Sequence, residues 1–212
     1  MATPKELYYE KNGLTLVRNL QNRHFEAYYC HDRKEALEKA LSLIPAGASV
    51  GWGGATGATQ IGLLDAVRAG SYVAYDREKA QTPEERSAIA ARCLTADYFI
   101  CGANALSMDG EMVTIDGMGN RLAAIVYGPK NVIVIAGMNK VCADLESAVL
   151  RARTVAAPTN QQRFLGKTPC TVTGSCADCT SEDCICNQIL ITRHCRPAGR
   201  IKFILVGEEL GF

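Results

Sequence analysis

Six of the ten cysteines in this 212-residue chain lie between Pro169 and Cys195, with the spacing C-x5-C-x2-C-x4-C-x-C-x8-C. Thiolate sulfurs bind soft metal ions, and two cysteines separated by two residues can hold one metal from a single turn. Cys176 and Cys179 form such a pair, and Gly174 and nearby polar residues give the segment the composition of a loop. The segment is therefore predicted to bind a metal ion or a metal cluster.

The cellular compartment decides between metal binding and disulfide formation. The N-terminal stretch MATPKELYYEKNG has no apolar signal core, and no apolar run approaches the roughly 18 residues of a membrane span. We therefore expect a cytoplasmic protein, in which reduced thiols favour metal binding. Disulfides in an oxidising compartment and inert thiols are the alternatives. The remaining cysteines stand singly in apolar or helical contexts and are interpreted as small core residues: Cys30, Cys93, Cys101 and Cys142.

The composition is that of a soluble globular protein, with 48% hydrophobic and 21% charged residues. A formal net charge of +1 and the absence of charge blocks give no indication of a nucleic-acid or membrane partner. The length fits a single domain spanning residues 1–212, in which residues 169–195 form a cysteine-rich insert. A homodimer is the default expectation for the oligomeric state.

A second stretch with chemical potential is GWGGATG, which follows a predicted strand at 48–52 and precedes a predicted helix at 59–69. A strand, a glycine-rich turn and a helix in this order can present backbone N–H groups to an anion. The stretch lacks both the GxGxxG register of a dinucleotide site and the GK[ST] of a P-loop. A tight turn without a ligand is the alternative interpretation.

The predicted elements alternate between helices and short apolar strands. The helices are expected at 4–29 (with a break near Gly13), 34–44, 59–69, 82–95 and 141–154. The strands are expected at 28–30, 48–52, 70–76, 96–101, 131–136, 189–192 and 201–206, and 110–115 is expected to pair with 122–127 in a hairpin. This alternation predicts an α/β fold with a mostly parallel sheet and helices on both faces.

In open α/β sheets, ligands bind beyond the carboxyl ends of the strands. The polar and glycine residues at these predicted ends combine cations, carboxylates and amides, which suits a small anionic or phosphorylated ligand. Turn formation without a ligand is the alternative for each of them. The candidate binding residues are Gly53, Gly54, Asn104, Asp116, Asn120, Arg121, Asn139, Lys140 and Glu208.

The long segment CGANALSMDGEMVTIDGMGNRLAAIVYGPKNVIVIAGMNK, together with RARTVAAPTNQQR, KTPC, GSCADC, CICN and VGEELGF, resembles the LUD (lactate-utilisation) domain family. The resemblance spans nearly the whole chain. It implies a fold like the sugar-isomerase/CoA-transferase class, and a part in bacterial growth on lactate within an iron–sulfur oxidase system that produces pyruvate. Gly102 joins the pocket residues on the same grounds.

Within a subgroup of this family, the resemblance implies that Cys170, Cys176, Cys179 and Cys186 are metal ligands, whereas Cys184 and Cys195 are extra. An iron–sulfur cluster of the 4Fe–4S type is the favoured cofactor, and zinc is the alternative. The sequence contains no flavin or nicotinamide motif, so hydride acceptance would need a partner subunit, and an iron–sulfur or flavin protein is the expected redox partner. No catalytic residue is assigned.

Two other functions remain open. The first is a zinc-stabilised protein that binds a small molecule. The second is an isomerase or CoA-transferase-like enzyme without a redox role, in which Glu208 or Asp116 would act as base or nucleophile.

Overall fold

The three-dimensional structure is a computed structural model that describes residues 2–164 and 166–212. Its strands are β1 (Glu26–Cys30), β2 (Ser49–Trp52), β3 (Val73–Tyr75), β4 (Tyr98–Cys101), β5 (Ala105–Ser107), β6 (Met112–Asp116), β7 (Asn131–Gly137), β8 (Val141–Cys142), β9 (Gln188–Thr192) and β10 (Ile201–Val206). Its helices are α1 (Pro4–Asn22), α2 (Arg33–Ser42), α3 (Thr56–Gln60), α4 (Leu63–Ala69), α5 (Pro83–Cys93), α6 (Asn120–Val126), α7 (Leu145–Arg151), α8 (Ala157–Gln161) and α9 (Pro169–Thr173).

A six-stranded parallel sheet in the order β1-β10-β7-β4-β2-β3 forms the centre of the fold. In β7, Val132 and Val134 pack into the core beneath α1, α5 and α6, while Ile133 and Ile135 pack into the core beneath α2, α3 and α4. Residues 132–136 are fully buried because helices cover both faces, which explains the continuous apolar run. The predicted α/β fold with a mostly parallel sheet is confirmed.

A second sheet, in the order β8-β5-β6-β9, lies beside the first and mixes parallel and antiparallel pairs. The sequence predicted one sheet. Instead β9 pairs with β6, and β10 inserts between β1 and β7 of the main sheet. A small apolar core beneath α7, which includes Ala105, Val113 and Ala148, supports this second sheet.

The predicted hairpin of 110–115 with 122–127 is wrong, because residues 120–126 form α6. Gly119 adopts a φ of +81°, which turns the chain into the helix. The Asp116 carboxylate accepts hydrogen bonds from the backbone N–H groups of Arg121 (2.9 Å) and Leu122 (3.3 Å) at the start of that helix. β6 pairs with β5 instead.

Three helix boundaries also differ from the predicted ones. Helix α1 runs through Gly13 without a break. The glycine is explained by packing instead, because a Cβ at this position would lie 2.2 Å from Cδ2 of Tyr29. The predicted helix at 59–69 is two helices that meet at Gly62, whose φ is +79°. Helix α7 continues through a π-helical turn (Ala152–Ala156) into α8, where a loop was expected. In the part of the chain that the structure describes, no helix has the length and apolar character of a membrane span.

Candidate anion site and cysteine cavity

The glycine turn after β2 lies against β4, with the Gly53 N–H bonded to the Ile100 carbonyl and the Gly102 N–H bonded to the Gly54 carbonyl (3.1 Å each). Gly54 has a φ of +58°, and a Cβ there would lie 2.5 Å from Nη1 of Arg121. The absence of a side chain therefore lets the Arg121 guanidinium lie directly on the turn.

Asn104 holds Arg121 in this position. The side-chain oxygen of Asn104 accepts hydrogen bonds from the Ile115 backbone N–H (2.9 Å) and from Nη2 of Arg121 (3.2 Å). The guanidinium also donates to the carbonyl oxygens of Ile115 and Gly102, the latter at 3.5 Å. These acceptors are neutral, so the positive charge of Arg121 is oriented without being neutralised.

Lys140 lies next to this group at the end of β7 and is only 5% exposed. Its Nζ donates to the Ala103 carbonyl at 2.9 Å and lies 3.8 Å from the position that a Cβ would take at Gly102. Burial lowers the pKa of Lys140 to about 7, and the neighbouring cations Arg151 and Arg121 contribute to the shift.

Arg151, at the end of α7, completes a cluster of three cations with Arg121 and Lys140. Its Nη1 donates to the Asn104 carbonyl at 2.6 Å, and its Nε donates to the Asn139 carbonyl at 3.2 Å. Within residues 2–164 and 166–212, none of the three cations forms an ion pair with an Asp or Glu side chain. Nη1 of Arg151 also donates to the main-chain oxygen of Phe212 at 3.4 Å. Partly buried cations without an Asp or Glu partner create a positive potential, which favours an anionic ligand.

The other predicted binding residues have structural contacts of their own. Both carboxylate oxygens of Asp116 accept hydrogen bonds from backbone N–H groups. The Asn139 side-chain oxygen accepts from the Leu210 N–H (3.1 Å) and so ties the last residues to the end of β7. Glu208 forms an ion pair with Arg33 (2.5 Å), which holds the pKa of its carboxyl below the ordinary value. Its carboxylate is therefore engaged away from the cation cluster.

The cysteine segment encloses a cavity of about 140 Å³. Cys184 lies 3.0 Å from Cys186, measured between the sulfurs. Cys195 is instead buried in the main core, where its sulfur lies 3.2 Å from both the Pro197 carbonyl and the Ile201 N–H. The structure thus separates the two cysteines that the sequence left unassigned. Five thiols line the cavity: Cys170, Cys176, Cys179, Cys184 and Cys186.

The thiols of the cavity differ in their local chemistry. Hydrogen bonds from Ser181 lower the pKa of the Cys179 thiol, whereas burial and the neighbouring Cys184 raise the pKa of Cys186 to about 12. Across the described residues, no three His, Cys, Asp or Glu side chains surround one point as a bound metal ion would require. The donor chemistry of five neighbouring thiols fits a thiolate-bound cluster, and the side chains would have to reorient around it.

The cavity and the cation cluster adjoin each other at two points. The side chain of Ile115 lines the cavity, and the carbonyl of the same residue accepts from Arg121. Arg153 lines the cavity and pairs with Asp178, and it lies two residues beyond Arg151 on the same helical segment. Strand β6 and the helical segment that begins with α7 therefore carry residues of both sites.

Sequence reasoning missed two arginines at the strand ends, Arg151 and Arg77. Arg151 falls inside the predicted helix at 141–154, and the π-helical turn continues the helix beyond it. Arg77 falls in a polar segment after β3, and its composition gives no indication that it approaches the glycine turn. A pairing prediction that placed β3 next to β2 would have been needed to find it.

Together, the fold and the site define an α/β protein with an anion-attracting cation cluster at its strand ends and a cysteine-lined cavity beside it. The sequence model described as the LUD domain matches residues 15–206. The chain therefore belongs to the LUD domain family, and the resemblance drawn from its motifs is confirmed.

The solved structures agree with this assignment at the level of the fold. A DUF162 family protein from Deinococcus radiodurans aligns with 93% of this chain and 97% of its own, at 12% identity and a TM-score of 0.52. Ribose 5 phosphate isomerase A from Neisseria gonorrhoeae aligns with 53% of this chain and 54% of its own, at 16% identity and a TM-score of 0.35. The structure of eIF2B beta from Chaetomium thermophilum aligns with 54% of this chain and 44% of its own, at 19% identity and a TM-score of 0.37. The TM-scores of the last two structures are too low to support an argument about this chain. No curated protein matches the sequence.

Proposed function

We propose that this protein is an iron–sulfur redox component in the oxidation of lactate, or a related 2-hydroxy acid, to the 2-oxo acid. The observation that carries the proposal is that Ile115 lines the cysteine cavity and also accepts a hydrogen bond from the cation cluster, whose three cations pair with no Asp or Glu side chain in the described residues. The first arrangement suits an electron carrier, and the second suits the carboxylate of the substrate.

The cation cluster supplies the binding step. The positive charges of Arg121 and Arg151 would attract the carboxylate of the substrate, and the guanidinium N–H groups that do not already donate to protein oxygens can donate to it. Asn104 keeps both in place, through its side-chain oxygen and its backbone carbonyl. Lys140, whose pKa is about 7, gains a proton when an anion binds beside it, because a negative charge stabilises the ammonium form.

The cavity thiols would hold the cofactor. Cys170, Cys176, Cys179 and Cys186 are the proposed ligands, and Cys184 is a fifth thiol in the same cavity. A 4Fe–4S cluster bound there would accept and pass on electrons. Conversion of a 2-hydroxy acid to a 2-oxo acid releases two electrons and two protons, so the proposal includes an iron–sulfur or flavin partner protein that takes up the electrons. It also places the protein in the cytoplasm, where the thiols stay reduced.

Purification under anaerobic conditions, followed by visible absorption and by iron, sulfide and zinc analysis, tests the proposed cofactor. We expect a brown protein with iron and sulfide in equal amounts. The double variant Cys176→Ser, Cys179→Ser should lose the colour and both elements, because a hydroxyl is a poor ligand for iron–sulfur clusters.

Cys195→Ser is the matched control, since its sulfur lies between a hydrogen-bond donor and an acceptor that a hydroxyl can also contact. The control should keep the colour. A colourless protein with one zinc would instead support the alternative of a zinc-stabilised binding protein, and an unchanged spectrum in the double variant would overturn the ligand assignment. Lactate should change the spectrum of the cluster only when the partner or an artificial electron carrier is present.

The isomerase or CoA-transferase alternative receives less support from the geometry. It needs Asp116 or Glu208 as base or nucleophile, yet the Asp116 oxygens accept backbone hydrogen bonds and Glu208 is paired with Arg33. Both carboxylates would have to break these contacts before they could react.

A further inference from the structure

Two further hydrogen-bond donors approach the glycine turn at Gly53. A Cβ built on Gly53 would lie 3.7 Å from Nδ2 of Asn120 and 3.8 Å from Nη1 of Arg77. Arg121 lies over the adjacent residue, Gly54. The three side chains therefore surround a short piece of backbone that has no side chain of its own.

Arg77 and Asn120 also lack protein partners for these donors. In the described part of the chain, neither the Arg77 guanidinium nor the Asn120 side-chain amide donates a hydrogen bond to a protein acceptor. Burial lowers the pKa of Arg77, and the nearby Arg86 adds to this effect. The Arg77 side chain is half-buried, and an anionic ligand beside Gly53 would accept the charge-assisted hydrogen bonds that its guanidinium can donate.

In the described residues, the acidic groups near Arg77 form no hydrogen bond or ion pair with its guanidinium. Asp116, Glu78 and the Cys93 thiol exert opposing electrostatic effects on the guanidinium. Asp116 is bonded to backbone N–H groups, Glu78 pairs with Arg68 at 2.7 Å, and the Cys93 sulfur lies 3.8 Å from the Tyr75 carbonyl. The donors of Arg77 and Asn120 thus remain available beside Gly53.

We propose that Arg77 and Asn120 form a second anion subsite, and that the substrate is a 2-hydroxy acid with a second anionic group, such as a phosphate or another carboxylate. This inference rests on the proposed function, because the 2-hydroxy acid carboxylate occupies the cluster of Arg121, Lys140 and Arg151. The second subsite lies at Gly53, and Arg121 of the first lies at the adjacent Gly54. In the described residues, the three arginines Arg77, Arg121 and Arg151 pair with no Asp or Glu side chain, and their combined charge exceeds the single charge of lactate.

Calorimetric titration with three compounds tests the second subsite: lactate, 3-phosphoglycerate and malate. The last two are 2-hydroxy acids with an added phosphate and an added carboxylate, respectively. At least one of them should bind about tenfold or more tightly than lactate, which is the gain expected from one good charge-assisted contact. In Arg77→Gln and in Asn120→Ala, that preference should shrink to about threefold or less, while the affinity for lactate stays the same.

Lys79→Gln serves as the matched control, because Lys79 is exposed, belongs to the same short turn (Arg77–Lys79) and carries the same charge. It should keep the full preference. If Arg77→Gln does not fold, Asn120→Ala decides the question, since that change alters no charge. Equal affinity of wild type for all three compounds, or equal losses for all three in both variants, would overturn the second subsite.

The failure of the two proposals can be told apart. If lactate binds and changes the cluster spectrum but the larger acids bind no better, the second subsite is wrong and the proposed function stands. If the larger acids bind through Arg77 but the anaerobic protein holds no iron and sulfide, the redox function is wrong instead.

Discussion

Lys140 allows a quantitative test of the cation cluster. An unfolded lysine has a pKa of about 10.4, whereas burial beside Arg151 and Arg121 lowers the folded value to about 7. Between these two values the unfolded chain binds more protons than the folded chain. The free energy of unfolding therefore rises with pH between these two values. The contribution of neutral Lys140 is lost as the pH falls through about 7.

The magnitude follows from the two pKa values. The slope reaches about 1.4 kcal/mol per pH unit where folded Lys140 is neutral and the unfolded lysine is charged. Integrated from pH 6 to pH 8, the gain is about 1.4 kcal/mol. This window lies below the range in which the buried thiols Cys30 and Cys101 act in the opposite direction, since burial raises their pKa values to about 11 and about 12.

Urea unfolding at pH 6, 7 and 8, in buffers without polyanions and at constant ionic strength, provides the measurement. Lys140→Met keeps the length and apolar stem of the side chain but cannot titrate. Because histidines also titrate in this range, the compared quantity is the difference between wild type and variant. Lys11→Met, at an exposed position on α1, is the control and should show the wild-type slope. If the free energy of unfolding of Lys140→Met changes with pH as steeply as that of wild type, the assignment of a neutral, buried amine is refuted.

Two further predictions concern the stability of the fold. Gly13→Ala should lower the free energy of unfolding by about 1–3 kcal/mol, because the new methyl would lie 2.2 Å from the Tyr29 ring; in a Tyr29→Leu background the loss should be smaller, and a neutral effect in the wild-type background would contradict the close contact. Arg200→Met should cost about 1–3 kcal/mol with an unchanged urea m-value, because Arg200 donates to the carbonyls of Ala124 (2.8 Å), Ile125 (2.6 Å) and Pro129 (2.9 Å); Arg200→Lys should recover less than half of this loss, and full recovery would show that charge alone matters.

The main sheet could be predicted because its signals are local. The run Asn131–Ala136 is apolar on both faces, and the helices predicted at 34–44 and 82–95 form with Asp32 and Thr82 as their N-caps. The segment LAAIVY was misassigned because β-branched and small apolar residues suit a buried strand and a short buried helix equally well. Helix α6 depends on the hydrogen bonds that Asp116 accepts and on the positive φ of Gly119. Neither feature can be read from the hydrophobic pattern of the sequence.

The site was predictable only in part, for a related reason. Arg121 and Lys140 were found because they directly follow recognisable strand and turn signals. Arg77 reaches the glycine turn through the pairing of β3 with β2, and Arg151 reaches the Asn104 and Asn139 carbonyls from a helix that continues through a π-helical turn. Neither contact leaves a local trace in the sequence. The cysteine spacing identified the cavity, yet it did not separate Cys184, which faces the other thiols, from Cys195, which lies in the core.

The π-helical turn has a consequence for how the two sites influence each other. It joins Arg151, which contacts the cation cluster, to Arg153, which pairs with Asp178 in the cysteine loop, within one continuous helical segment. If the proposed cluster binds in this loop and moves Arg153, the displacement reaches Arg151 through the helical segment and shifts the free energy of anion binding. Thermodynamic linkage makes this coupling reciprocal, so an anion that binds more tightly to the loaded protein must stabilise the bound cluster by the same factor.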